Sequence, residues 1–280
     1  MNQIGRSYPS DLTNQQWDVI KDLIPPARRG GRKRTADVRK VLDAVFYLNR
    51  TGCGWRYLPE NFPPWRTVYE YFSKWRSTRV LEVICEELSK IARKQSGKEE
   101  IPSVLIIDSQ SAKAQFGESR GYDGFKKVRG RKRHIIVDTL GIVHGIRISP
   151  ANVGDVNEGI ELLRARKPFL DQRGLRAIYA DGGYRHKFAD AMVETFRTKP
   201  IIIQGSTTLV GSTKPNARGA KREKVLRTNL KPTRWIVERT FAWFNHYRRL
   251  SRDFERTTAS SEAMIHLAMT QILLRKMHPI

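Results

Sequence analysis

A chain of 280 residues is long enough to bury a sizeable core, either as one large domain or as a main domain with a smaller companion. Lys and Arg number 52 against 28 Asp and Glu, a formal charge of +24. With a pI near 10.4, this implies a polyanionic partner, nucleic acid first, because such a surface repels itself until phosphates or counterions neutralise it. An anionic membrane is the rival. It is disfavoured because the basic residues are spread through folded-looking segments and no apolar run approaches the roughly 20 residues that cross a bilayer. Met1 to Ser7 lacks the apolar core of a signal peptide, so a cytoplasmic protein is expected. Cys53 and Cys85 make neither a zinc pattern nor a disulfide framework, and the six histidines show no ligand spacing.

The first 97 residues read as helical. Thr13 through Gln16 has the Thr-x-x-Gln form of a capping box and opens a helix that carries Trp17, Ile20, Leu23 and Ile24, stopped by Pro25-Pro26. A basic loop follows, with Arg32, Lys33 and Arg34 as candidate DNA contacts. From Thr35 the positions Val38, Val41, Leu42, Val45 and Phe46 recur at helical spacing until Gly52. A Trp- and Pro-rich loop leads to a second capping box at Thr67 to Glu70, and a last helix is expected from about Arg79 to Arg93. Short helices with aromatic faces and basic loops resemble a helix-turn-helix module, whose recognition helix enters the major groove. A small helical cap that only packs on its neighbour is the alternative.

Ser96 to Glu100 reads as a linker, and the period then changes from helical to strand-like. Residues 101–107 are a short, nearly continuous apolar run, the mark of a strand buried on both faces. Lys132 to Asp138 and Ile142 to Ile148 predict a hairpin across Thr139-Leu140-Gly141. A helix is predicted over 156–167, a strand over 176–180, a helix over 186–198 and a strand over 200–204. Residues 205–230, with scattered Gly, Ser, Thr, Lys and Arg, look like a basic insertion before a helix over 232–250. The order β-β-β-α-β-α-β-α is that of a ribonuclease H-like fold, a mixed five-stranded α/β sheet with flanking helices. A division into 1–97 and 98–280 follows.

Three acids stand in unlike settings. Asp108 ends the run Val104 to Ile107, Asp181 ends Ala177 to Ala180, and Glu238 lies within the last helix. In an open sheet, sites form beyond the carboxyl ends of strands, and the order places both aspartates at one rim. Two strand-end aspartates and a helix glutamate supply the hard oxygen ligands that hold two Mg²⁺ ions for phosphoryl transfer. Each alone has a plainer reading, a turn or cap residue for the aspartates and an i, i+4 ion pair with Arg234 for Glu238. On the helical wheel Arg234, Glu238, Asn245 and Arg249 share one face, placing Arg234, Asn245 and Arg249 to meet phosphate oxygens. The run Lys126, Lys127, Arg129, Arg131, Lys132 and Arg133 would flank the acidic rim. Asp123, Asp138 and Asp155 read as structural, Asp155 as a helix N-cap.

The segments Asp108-Ser109-Gln110-Ser111, Gly121-Tyr122-Asp123, Gly130 to Thr139, Ala180 to Tyr184 and Trp235 to Phe244 resemble those of bacterial insertion-sequence transposases of the DDE class. The insertion sequence five group is the nearest in pattern, and Arg50 to Pro59 with Pro63 to Tyr69 extend the resemblance over nearly the whole chain. It implies a catalytic and metal-binding triad of Asp108, Asp181 and Glu238, with two Mg²⁺ ions that Mn²⁺ can replace, and movement of the element that encodes the protein. Relatives carry the signature Tyr-(2)-Arg-(3)-Glu-(6)-Lys. Here Arg234 and Glu238 fit, Lys231 takes the Tyr place and Asn245 the Lys place, leaving Arg248 or Arg249 to supply the cation.

The expectation is therefore a DNA transposase that binds terminal inverted repeats, cleaves the ends by metal-dependent hydrolysis and joins the 3′-hydroxyls to target DNA. It would work as a homodimer on paired ends in the nucleoid. A catalytically inactive repressor derived from a transposase, or a nuclease without strand transfer, are the alternatives that a cleavage assay separates.

Overall fold

The computed structural model describes residues 8–27, 30, 34–117, 119–171, 174–184, 187–197, 201–204, 207–210 and 234–278. Arg32, Lys33, Lys231 and most of the basic insertion lie outside the described residues. The chain forms two compact units, Met1–Lys98 with Phe244–Ile280, and Glu99–Trp243.

In the first unit, Thr13 caps α1 (Asn14–Ile20) reciprocally. Its hydroxyl accepts from the Gln16 N–H at 3.1 Å, and the Gln16 side chain accepts from the Thr13 N–H at 3.1 Å. A 3₁₀ turn, Lys21–Leu23, carries the chain on to Pro25. α2 (Val38–Thr51) begins later than Thr35 because Asp37 takes the N-cap and accepts from the Arg39 and Lys40 N–H groups. It ends at Gly52, in the left-handed region at φ 76°, where a Cβ would come 3.0 Å from Arg248 Cβ. α3 (Trp65–Ser77) starts ahead of Thr67, so the second capping box does not form. Pro64 precedes its first turn as N-cap, with φ at −47°. A short turn with Arg79 at φ 58° leads directly into α4 (Val80–Gln95).

The second unit is built on a mixed sheet. Its strands are β1 (Val104–Lys113), β2 (Gly121–Asp123), β3 (Val128–Asp138), β4 (Val143–Pro150), β5 (Ala177–Asp181), β6 (Ile201–Gln204) and β7 (Thr207–Val210). Their order is β2-β3-β1-β5-β6-β7, with β4 on β3. β1, β3 and β4 are antiparallel neighbours, while β1, β5 and β6 run parallel. This is the five-stranded core of a ribonuclease H-like fold, extended by two short strands that the sequence reading missed. β7 uses residues placed in the basic insertion and pairs with β6 as a hairpin. α5 (Asp155–Leu170) and α6 (Lys187–Phe196) bury Leu105, Ile107, Ile178, Ala180, Phe188 and Met192 in one apolar cluster. Leu105, Ile107 and Ile178 on this face are at most 1 % exposed, and Ile106 and Tyr179 on the opposite face are 2 % and 5 % exposed, the two-sided burial that their apolar runs predict. α7 (Arg234–Asn245) follows in sequence.

The helix expected over 232–250 is interrupted. α7 stops at Asn245, and Tyr247, in extended backbone, caps the short α8 (Arg248–Ser251). A final helix, α9 (Thr258–Met277), is absent from the sequence reading. Thr257 caps it by accepting from the Ser260 N–H at 3.2 Å. α9 completes the core of the first unit, lying against α2, α3 and α4. Met264, Leu267 and Ala268 on α9 are buried, as are Leu42, Phe46 and Leu88 on α2 and α4, and Asn49 Nδ2 donates to Met264 O at 2.9 Å.

Candidate active site

The pleat decides where the two aspartates point. Successive side chains of a strand leave opposite faces. On β1, Leu105 and Ile107 face the helix-covered cluster, and on β5 so do Ile178 and Ala180. Ile106 and Asp108 therefore share the other face of β1, and Tyr179 and Asp181 the other face of β5. The parallel register pairs Leu105 with Ile178 and Ile106 with Tyr179. The same offset sets Asp108 level with Asp181 on adjacent strands. Contrary to the sequence reading, Asp108 is no strand end, because β1 continues to Lys113; it lies two residues beyond the last pair with β5, Ile106 with Tyr179.

This juxtaposition has an electrostatic signature. Burial pushes the Asp108 carboxyl up to about 6; the Ser109 backbone hydrogen bond opposes this, the charge of Asp181 adds to it, and Arg234 and Lys126 oppose it. Among the described residues, the Ser109 N–H donates to Asp108 Oδ1 at 2.7 Å and the Gly183 N–H to Asp181 Oδ1 at 2.8 Å. Two neighbouring carboxylates so lightly supplied with donors, one of them partly buried, fit a divalent cation, whose charge would relieve both the desolvation and the mutual repulsion.

The third acid arrives on α7. Arg234, whose charge acts on Asp108, pairs through Nε with Glu238 Oε1 at 3.2 Å, one helical turn on. Both side chains are about half exposed, so the pair itself contributes only a few tenths of a kcal/mol. Among the described residues no group of three or more His, Cys, Asp or Glu side chains is close enough to hold a metal ion. The link from Glu238 to Asp108 thus runs through Arg234, which holds the Glu238 carboxylate and whose charge acts on Asp108.

Two hydrogen bonds fix that helix. Arg239 Nη2 donates to Leu140 O at 2.9 Å, and Thr240 Oγ1 donates to Gly141 O at 2.9 Å. The acceptors are the β3–β4 turn, which Asp138 braces from within. Fully buried, it accepts from the Leu140 and Ile142 N–H groups at 2.8 and 3.0 Å, with His144 Nε2 at 3.1 Å. Gly141 has φ 80°, and a Cβ there would stand 2.8 Å from the Thr240 hydroxyl, so this approach of helix to turn requires glycine. Arg239 also lies between two indoles, 4.6 Å from the Trp235 ring centroid and 4.8 Å from that of Trp243.

A polar network under the sheet was not foreseen. Ser109 Oγ donates to Asp155 Oδ1 at 2.9 Å, Ser111 Oγ to Asp123 Oδ2 at 2.7 Å, and Lys132 Nζ lies 3.1 Å from Asp155 and 3.9 Å from Asp123. Asp155 is therefore no N-cap; Gly154 holds that position, and Asp155 opens α5 as the partner of Ser109 and Lys132. The signal for it was the alternation of Ser109 and Ser111 after an apolar run, which puts hydroxyls on the core face of β1. Above this network Tyr184 is buried, and burial, followed by the charges of Asp155, Asp108 and Asp181, pushes its phenol well above the ordinary value.

The expected DNA contacts divide by exposure. Arg34 is partly buried and donates to Pro25 O, while Lys126, Lys127, Arg129, Arg234, Asn245 and Arg248 are exposed. Arg131, Lys132 and Arg133 are 0 %, 8 % and 2 % exposed. That corrects the expectation that the whole run 126–133 meets a DNA backbone, because from Arg131 onward β3 is covered on both faces. Arg249 is a second correction. The break before α8 turns it inward, where Nε pairs with Glu255 Oε1 at 2.7 Å and Nη1 donates to Cys53 O at 2.9 Å, so it does not supply the cation missing at Asn245.

Comparison with known proteins agrees with this architecture. Residues 12–85 match the family described as "Putative transposase of IS4/5 family", and residues 99–273 match the "Transposase DDE domain". A protein of Burkholderia cepacia named "Putative transposase for insertion sequence element IS402" is 32% identical over 143 residues, which is 49% of this chain and 60% of the relative. The uncharacterized protein y4sN of Sinorhizobium fredii is 32% identical over 103 residues, 37% of this chain and 76% of the relative. The domain match spans more than half of the chain, from the strand that bears Asp108 to the final helix, and the chain belongs to the DDE-domain transposases of the IS4/5 type.

Proposed function

We propose that the protein binds the terminal inverted repeats of its insertion sequence, hydrolyses a phosphodiester at each end and joins the freed 3′-hydroxyls to target DNA. The observation that carries this reading is that the parallel register, carried on by two residues, sets Asp108 and Asp181 on one face of adjacent strands, where the charges of Asp181 and of Arg234 on α7, the ion-pair partner of Glu238, act on Asp108.

Asp108, Asp181 and Glu238 would hold a pair of divalent cations, Mg²⁺ with Mn²⁺ as substitute. When bound, such a pair acidifies the attacking oxygen and offsets the charge of the in-line displacement at phosphorus. The protein's own part is positioning. Asp108 and Asp181 are set by strand register, and Glu238 by the bonds of Arg239 and Thr240 to the β3–β4 turn. Engaging Glu238 as a metal ligand would release Arg234, whose guanidinium could then meet a phosphate oxygen. No covalent enzyme intermediate is needed.

The helical unit, in which α3 and α4 are joined by a tight turn at Arg79, would read the repeats, with a homodimer pairing the two ends in the bacterial nucleoid. Exposed Lys126, Lys127, Arg129, Arg234, Asn245 and Arg248 would meet the DNA backbone, joined by Arg32, Lys33 and Arg34. Replacing Asp181 by Asn tests the reading. The variant is expected to shift repeat DNA in a gel as the parent does and to leave it uncut with Mg²⁺ or Mn²⁺; cutting at the parental rate would remove Asp181 from the chemistry.

A further inference from the structure

The turn between β2 and β3 presents a bare aromatic ring to solvent. Phe125 is 95% exposed, and Tyr122, across the same hairpin, is 57% exposed. Leaving a phenyl ring in water forgoes about 1.5–3 kcal/mol of burial, so an ordered turn that does so invites a functional explanation.

The turn is ordered by its own chemistry. Asp123, only 7% exposed, accepts from the Phe125 N–H at 3.1 Å and the Lys126 N–H at 3.0 Å through Oδ1, while Oδ2 accepts from Ser111 Oγ. Lys127 closes the turn in the left-handed region, at φ 53°. Phe125 is thus aimed outward by a buried carboxylate anchored to the strand that bears Asp108.

Two further observations say what the ring meets. Lys126, Lys127 and Arg129 beside it are all exposed, so the tip is apolar at its point and cationic around it. Lys126 reaches back to the site, its Nζ 3.5 Å from Ser109 O and its charge acting on Asp108. An aromatic face ringed by cations suits a stacked base whose flanking phosphates need neutralising; a protein partner would leave those cations unmatched.

Resting on the transposase reading, we propose that Phe125 is a stacking wedge for an unpaired base next to the scissile phosphate, with Lys126, Lys127 and Arg129 on the phosphates that flank it. Fraying of the element's end would then be stabilised at the carboxylates, and the ring would favour strand-separated over fully paired ends.

The test uses the full chain and two duplexes of the same terminal-repeat sequence, one blunt and one with a few unpaired nucleotides at the cleavage position. The parent is expected to bind the forked duplex roughly 10-fold more tightly than the blunt one, the scale of one base–aromatic stack. Phe125→Ala should lose that preference while keeping its affinity for the blunt duplex, and Phe125→Trp should retain it. An unchanged preference in Phe125→Ala, or equal binding of both duplexes by the parent, would overturn the wedge. So would a changed sedimentation coefficient in Phe125→Ala without DNA, which would assign the ring to contact with a second copy. Cleavage of the blunt repeat by the parent separates the two readings: if it cuts and Phe125→Ala keeps the preference, the wedge alone fails, and if it neither binds nor cuts, the transposase reading fails with it.

Discussion

Asp43 makes the helical unit sensitive to pH in a direction opposite to most carboxylates. It sits on α2 at 8% exposure and accepts from the Leu12 N–H at 2.8 Å. Burial, the dominant cause, outweighs that hydrogen bond and pushes its carboxyl up to about 7, with Asp11 and Asp37 adding to the rise and Arg39 opposing it. An acid whose folded value lies above its unfolded one holds its proton more tightly when folded. Its contribution is complete below about pH 4 and is lost as pH climbs through about 7. The span of about 3 pH units at about 1.4 kcal/mol each sets a ceiling of about 4 kcal/mol on that loss. Asp43→Asn keeps an acceptor for Leu12 and cannot ionise. Urea unfolding followed by tryptophan fluorescence at about pH 4 and about pH 9 should find parent and variant nearly alike at the lower pH, and the variant more stable by about 2–4 kcal/mol at the higher. A parent whose stability is flat across that range, or an Asn variant that gains nothing at high pH, would refute the reasoning.

Further outcomes follow from the same contacts. Thr240→Val removes the hydroxyl that reaches Gly141 O while keeping its volume, so the Mg²⁺ concentration for half-maximal cleavage should rise several-fold with repeat binding unchanged, and Thr240→Ser should restore it; a metal titration that does not move would mean that this bond does not position Glu238. Glu255→Gln leaves the buried Arg249 charge without its counter-ion, and should destabilise the fold by roughly 3 kcal/mol in urea unfolding; a change below about 1 kcal/mol would show that the amide oxygen, Cys53 O or water suffices for Arg249. Gly52→Ala forces a Cβ into the left-handed C-cap against Arg248, and should cost about 1–2 kcal/mol in the same assay, whereas a neutral result would mean that α2 can end elsewhere.

The parts of the fold that showed in the sequence are those where one physical rule acts alone. Val104 to Ile107 and Ala177 to Ala180 are apolar on both faces, so each announces a buried strand, and the acid that follows each run marked the rim where Asp108 and Asp181 stand level. The continuation of β1 to Lys113 was hidden because its core-facing residues are Ser109 and Ser111, satisfied by Asp155 and Asp123 from distant elements that no local pattern reveals. The helix break at Tyr247 was equally silent: Tyr247 and Leu250 continue the apolar face, and only the pairing of Arg249 with Glu255 and Cys53 O shows that the chain has turned. The same pairing removed Arg249 from the DNA-facing set, while Arg131 to Arg133 left it because a strand buried on both faces carries its charges inward. Glu238 could be placed on a polar helix face from spacing alone, but its bond to Arg234 and the bracing of its helix by Leu140 and Gly141 depend on a turn about a hundred residues earlier.

The central claim is that Asp108, Asp181 and Glu238 cut DNA with divalent metal at the ends of an insertion sequence. Purified protein incubated with a supercoiled plasmid that carries the inverted repeats, with Mg²⁺ or with EDTA, and sequencing of the ends produced, tests it most directly. The account predicts Mg²⁺-dependent breaks at the repeat termini that leave 3′-hydroxyls and vanish in Asp181→Asn. Tight, specific repeat binding with no break under either Mg²⁺ or Mn²⁺ would contradict it and make the protein a repressor built on a transposase fold.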